Sequence, residues 1–199
     1  MKKILGFLLI TLVSPPILAE GTEISIFNGY RTTSSVEDSS TGDKLNLDET
    51  SSYGIIVAKD YGSKHVMEFL YSKQDTDLKN VTTYPNTKIF DLDVEYFQIG
   101  GSQIWADDKL DKFFGATLGV VHFDPVDTGY ADTTRFAMSF GGGIVYKVTR
   151  SLGLRFEVRG YFSALGSSST LCGSGGKCLI VRDELLSQFD FNAGLRFRF

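Results

Sequence analysis

An eight-stranded antiparallel up-and-down transmembrane β-barrel is the fold class this sequence predicts, and three observations lead there. Beyond residue 19 the chain carries eight segments with β-branched and aromatic enrichment and a period of two, and no helix of normal length fits between any two of them. The connections alternate between tight turns and long polar stretches, the rhythm of a barrel with short turns on one side of a membrane and loops on the other. The chain ends on "FDFNAGLRFRF", with Phe189, Phe191, Ala193, Leu195, Phe197 and Phe199 on one face and Asp190, Asn192, Gly194, Arg196 and Arg198 on the other. Termini of soluble domains tend to be frayed and polar, whereas a strand that closes a barrel at a membrane surface can end on an interfacial Phe.

The elements follow in order. Met1, Lys2 and Lys3 give a positive start, "ILGFLLITLV" a short apolar run, Pro15 and Pro16 a break and Ala19 a small residue, so residues 1–19 are expected to be a secretory signal peptide and 20–199 a single barrel domain. Strands are expected at 23–36 and 45–60, joined by the polar 37–44. "DYGSK" turns tightly into 65–77, and 78–89 is long and polar before 90–106. "DDK" leads to 110–124, 125–132 to 133–149, and "TRS" to 152–165; the longest loop, 166–184, precedes 185–199. "QIGGSQIW" shifts the alternation of the fourth strand and suggests a bulge at Gly100-Gly101. An even strand count puts both termini at the tight-turn side.

Alternation alone does not say which face is inside, since a small secreted ligand carrier of lipocalin type has the same period with its apolar face inward. Strands of 13 or more residues exceed the roughly 9–11 that cross a bilayer, and so can extend beyond it. The aromatics Trp105, Phe113, Phe114, Tyr146, Phe197 and Phe199 gather near the tight turns, where an interfacial girdle sits. Both points favour apolar-out. Removing Lys2 and Lys3 takes the basic count from 20 to 18 against 24 acidic residues, a formal charge of -6; with no basic cluster, nucleic acid is excluded as a partner.

The signal peptide, the alternating connections and the aromatic terminal strand resemble the small outer-membrane β-barrel proteins of Gram-negative bacteria, the group that includes the OmpX, opacity and OmpA-barrel families. The resemblance implies residence in the outer membrane among lipid and lipopolysaccharide. It also implies that Phe199, with Phe197, is the terminal signal read by barrel-assembly machinery.

An eight-stranded barrel has a bore just wide enough for side chains. On the apolar-out reading Glu68, Asp91, Asp93, Glu95, Arg135, Lys147, Arg155, Glu157, Arg159, Asp190, Arg196 and Arg198 face inward. Their signs can pair into an interior charge network, with Glu68, Glu95, Arg155, Glu157, Arg159, Asp190 and Arg196 at its centre. An ion path along the same charges is the functional alternative.

No catalytic set emerges. His65 opens a strand beside a tight turn, and His122 with Asp124 in "VHFDP" lacks a nucleophile; the His-x-Ser pattern of outer-membrane lipid A deacylases is absent. No metal or cofactor is expected: Cys172 and Cys178 lack zinc-ligand spacing, and in an exported chain they are expected to form a disulfide in the longest loop. Two function classes remain. One is a structural or surface-interaction protein, adhesion-like, whose long loops meet a partner while the barrel anchors them. The other is a narrow transporter or channel for ions or small apolar solutes, as a resemblance to the OmpW family implies. Glu37, Asp38, Asp43, Asp48, Glu49, Asp124, Asp127 and Asp132 suit loops bridged to lipopolysaccharide by divalent cations.

Overall fold

The computed structural model describes residues 21–37, 42–82, 86–126, 132–165, 169–172, 178–181 and 185–199. The proposed signal peptide, the loop acids Asp38 and Asp127, and the middle of the "LCGSGGKC" segment lie outside them. Among the described residues twelve strands run in chain order: β1 (Thr22–Thr33), β2 (Val36–Glu37), β3 (Lys44–Leu47), β4 (Thr50–Asp60), β5 (His65–Asn80), β6 (Thr87–Trp105), β7 (Leu110–Pro125), β8 (Thr133–Lys147), β9 (Leu152–Ala164), β10 (Ser169–Cys172), β11 (Cys178–Val181) and β12 (Leu185–Arg198).

Eight of them close a barrel. Antiparallel neighbours run β4-β1-β12-β9-β8-β7-β6-β5, and β5 pairs with β4 to complete the ring. Closure satisfies every strand edge, the condition for crossing hydrocarbon. The termini are tied into the same end as the tight turns: Gly21 N–H donates to the Phe199 carbonyl and Phe199 N–H to the Thr22 carbonyl, each at 2.9 Å.

The outer surface carries an apolar belt of a kind that soluble monomers rarely expose. Ile26, Phe69, Ile99, Leu118, Phe140, Phe156 and Phe191 are all exposed, from seven different strands. On β9 the outward Leu154, Phe156 and Val158 alternate with buried Arg155, Glu157 and Arg159. The barrel is therefore a transmembrane one, apolar side out.

Three details depart from the sequence reading. The expected second strand, 45–60, is divided at Asp48-Glu49 into β3 and β4, and β3 pairs with the far end of β5 while β2 pairs with β3. A short β10–β11 hairpin stands within the expected loop 166–184, with Cys172 directly paired to Cys178 along its backbone. The bulge does not lie at Gly100-Gly101, where β6 keeps unbroken register with β7. It lies between Leu78 and Lys79, opposite an extra residue on β6, Ile89, which packs against the buried core beside Phe90.

Candidate functional site: a filled bore and a charged outer wall

Inward-facing residues stack in tiers. At the turn end Arg196 of β12 reaches Glu23 of β1 at 3.2 Å and Asp111 of β7 at 3.5 Å. Lys147 at the end of β8 adds a 2.7 Å contact to Asp111. Arg198 holds Glu23 at 3.3 Å and Asp60 at 2.8 Å. The opposed signs come from β1, β4, β7, β8 and β12, so the tier is a cross-barrel brace.

The next tier is written along β9. Arg155, Glu157 and Arg159 share the inner face at a spacing of two, and Glu157 accepts from Arg155 Nε at 2.9 Å and Arg159 Nε at 2.7 Å. Arg155 lies over the Phe113 ring, 4.0 Å from its centroid. Gly141 makes this possible, because a Cβ there would stand 2.7 Å from Glu157 Oε1 and 3.1 Å from Arg159 Nε. Glu68 balances the second arginine from across the bore, 3.8 Å from Arg155 and 3.7 Å from Arg159. Those separations exceed a direct hydrogen bond, and the adjoining cavity of about 10 Å³ has the size of roughly one water. Arg159 also donates to Ser139 Oγ at 3.0 Å, linking the tier to Thr117 and Gln98.

A third tier centres on Arg31, which is fully buried. Its guanidinium binds the equally buried Asp190 at 2.7 Å and lies beside the paired rings of Tyr161 and Tyr96, 4.6 and 5.2 Å from their centroids. Ser52 donates to the other Asp190 oxygen at 2.7 Å, and Ser72 accepts from Arg31. Tyr96 donates to Gln188 at 2.7 Å, and Gln188 donates to Gln74 at 3.1 Å. Arg31, Asp190, Ser52, Ser72, Tyr96, Gln188 and Gln74 bond to one another across the barrel, so the tier closes the bore with charge, amide and ring.

Above it the chemistry changes. Leu45, Leu47, Leu78, Phe90, Leu92, Val94, Phe123 and Leu186 pack into a buried apolar core toward the loop end. The outward residues of β5, β6 and β7 there are charged. Asp91, Asp93 and Glu95, expected inside, project outward, because Phe90, Leu92, Val94 and Tyr96 hold the inner positions of β6. Lys73 on β5 gathers Asp93 at 2.7 Å, Glu95 at 3.3 Å and Asp75 at 3.6 Å. Asp75, Asp93 and Asp124 occupy directly paired positions on β5, β6 and β7, a like-charge row that Lys73 offsets. Nearer the rim, Lys88 contacts Asp77 at 3.0 Å and also Asp91. Hydrogen bonding to Asp91 and Asp77 raises the Lys88 pKa, and the bond from Lys88 lowers that of Asp91.

No protein-family model and no curated protein sequence matches the chain. Solved structures do. It is similar to Neisserial surface protein A, at 16% identity over 90% of this chain and 98% of that one, with a TM-score of 0.61. It is similar to the outer membrane protein OprG of Pseudomonas aeruginosa, at 13% identity over 90% and 97% of the two chains, TM-score 0.58. The outer membrane protein AlkL, solved in lipid bilayers, shares 14% identity over 90% of each chain, TM-score 0.57. The chain has the fold of the small outer-membrane β-barrels.

Within that fold the remaining candidates are readily placed. Phe197 and Phe199 lie exposed on the outer face at the turn end. Arg135 sits on the inner register of β8 near the loop end and donates to the Thr134 carbonyl at 3.3 Å. His122 faces outward, with Nδ1 2.9 Å from Thr134 Oγ1 and Nε2 3.8 Å from Asp132. Among the loop acids, Asp48 binds Lys79 at 2.7 Å, Asp43 accepts from Asn80 at 2.8 Å and Glu49 from Tyr30 at 3.4 Å. Sequence reasoning named Asp190 and Arg196 but missed Arg31, Glu23 and Asp111, which complete their tiers. The signal for Arg31 was its place between the outward Tyr30 and Thr32.

Proposed function

We propose that the protein is an outer-membrane anchor that presents its long extracellular loops to a surface partner, an adhesion-like role, with the barrel itself closed. The observation that carries this reading is the filling of the bore: paired charges at the periplasmic end, the Arg31–Asp190 tier, then packed leucine and phenylalanine. The outer wall supports it. At about 3.3 Å per residue and a tilt of roughly 40°, the 19 residues of β6 rise roughly 45–50 Å against an apolar band of about 25 Å. The surplus emerges among lipopolysaccharide and lifts the loops with it.

The same reading takes residues 1–19 as the export signal, Phe199 with Phe197 as the mark for barrel-assembly machinery, and Cys172–Cys178 as a loop disulfide. The facing backbone positions of the two cysteines suit such a bridge; thiol alkylation with and without prior reduction, followed by mass, tests it. The apolar interior at the loop end favours a second reading, passage of small apolar solutes, which requires that core to part.

Two measurements on refolded and cell-displayed protein decide. Planar-bilayer recording is expected to show no stable conductance, and cells bearing the protein with residues 166–184 shortened are expected to lose adhesion while keeping a folded barrel. Stable conductance, or barrel-dependent uptake of an apolar solute without loop-dependent adhesion, would favour the second reading.

A further inference from the structure

At the turn end the outer wall of the barrel is hollowed between β5 and β6. The groove measures about 590 Å³ and is lined by Tyr61, His65, Met67, Gly100, Gly101 and Gln103, within the range of about 300–1,000 Å³ typical of small-molecule sites. Gly101 makes its floor, projecting no side chain between its paired neighbours Met67 on β5 and Ala116 on β7. The exposed Ile99 lies above it, so the groove opens into the apolar belt. Its other end is polar, lined by Tyr61, His65 and Gln103, with Lys64 next to His65 in the turn.

Position and charge narrow the occupant. Exposed Trp105 and Tyr61 mark the level of lipid headgroups, so the groove runs from headgroup to hydrocarbon along the direction a membrane lipid takes. Lys64 is fixed in the turn by the Ile104 N–H, which donates to its carbonyl at 2.8 Å. Asp60, the acid of the same turn, is held by Arg198 at 2.8 Å. Lys112 lies on the same outer face, paired with Trp105. Lys64, Lys109 and Lys112 outnumber Asp107 and Asp108 of the adjoining turn, so the net local charge is basic by one, which favours an anionic headgroup over a zwitterionic one.

We propose that this groove binds one anionic phospholipid of the periplasmic leaflet, of the phosphatidylglycerol class, with an acyl chain over Gly101 and its phosphate at Lys64 and His65. The orientation rests on the outer-membrane reading above, since only the periplasmic leaflet supplies phospholipid to the turn end.

Folded protein in detergent, offered phosphatidylglycerol or phosphatidylethanolamine of equal chain length, is followed by native mass spectrometry. Phosphatidylglycerol is expected to be retained about fivefold more, the effect of one basic side chain at an anionic lipid surface. Lys64→Glu is expected to abolish that preference, and Arg150→Glu, the same charge change on the opposite turn, to leave it. Gly101→Val fills the floor and lowers retention of both lipids; its Cβ would lie 2.9 Å from the Val66 carbonyl, so the heat-dependent gel shift first establishes folding. If it does not fold, Lys64→Glu and His65→Ala decide. Equal retention of the two lipids, or equal loss in Lys64→Glu and Arg150→Glu, would overturn the site. Lipopolysaccharide retained in preference, and lost with Lys64→Glu, would instead overturn the orientation.

Discussion

The two halves of the barrel solve opposite problems with one backbone pattern. In the turn half, Phe156 and Val158 face out while Glu157 and Arg159 face in; in the loop half, Asp91 and Asp93 face out while Phe90 and Leu92 face in. The register of β6 against β7 is continuous between the two regimes, so no slip or bulge there produces the change. The solvent does. Hydrocarbon outside the turn half selects apolar side chains there and leaves polar groups to satisfy one another in the bore, whereas the loop half is a water-soluble barrel with an ordinary apolar interior. The exchange falls between Tyr96, still inside, and Phe97, already on the lipid-facing wall.

The largest expected effect comes from breaking the tier between the halves. Arg31→Met leaves Asp190 buried without its cation, and loss of one partner of a buried pair costs about 3–5 kcal/mol; urea unfolding in detergent micelles measures it. Replacing both, Arg31→Met with Asp190→Leu, is expected to recover most of that loss. Persistence of the full loss in the double variant would mean that the aromatic contacts of Arg31, rather than its charge, hold the tier.

The next effect sharpens the contrast directly. Phe156→Arg sets a charge against hydrocarbon and is expected to cost about 2–4 kcal/mol near the midplane. Asp93→Phe, also outward but in the loop half, is expected to leave folding into vesicles nearly unchanged. A comparable loss in Asp93→Phe would mean that its ion pair with Lys73 holds the wall more than the solvent does, and a gain would mean that the apolar belt extends over it.

The smallest effect is at the rim. Because Lys88 lowers the Asp91 pKa, the pair's contribution is complete above the ordinary aspartate value of about 3.9 and is lost as pH falls through the depressed one. Asp91→Asn should therefore flatten the acid limb of the stability profile and change little at pH 7, as exposed pairs do. An unchanged acid limb would assign the pH dependence elsewhere.

This contrast also explains what the sequence could and could not reveal. Eight strands, closure and the outward face of β9 were legible because period-two alternation and the length of the connections depend on backbone geometry alone. Which face is inside depends on solvent. Asp91, Asp93 and Glu95 were placed in the bore by extending the rule of the turn half to a segment standing in water. The consecutive aromatics Tyr96 and Phe97, just before "QIGGSQIW", are the visible trace of that boundary, and the shifted alternation that follows them imitates a bulge. The real bulge, at Ile89, hid in a stretch where consecutive apolar residues look like an ordinary strand start. Arg31 and Glu23 were illegible as a site because their partners, Asp190 and Arg196, lie at the far end of the chain and meet them only through the β1–β12 closure.

The central claim, one register with two solvents, is tested most directly by nitroxide accessibility in bilayers. Single labels at positions 156 and 93, in a protein with Cys172→Ser and Cys178→Ser, are compared for relaxation by oxygen, which concentrates in hydrocarbon, and by a water-soluble nickel chelate. The account predicts oxygen-dominated relaxation at 156 and chelate-dominated relaxation at 93. Oxygen dominance at both positions, or shielding of 93 from both reagents as in a packed interior, would contradict it.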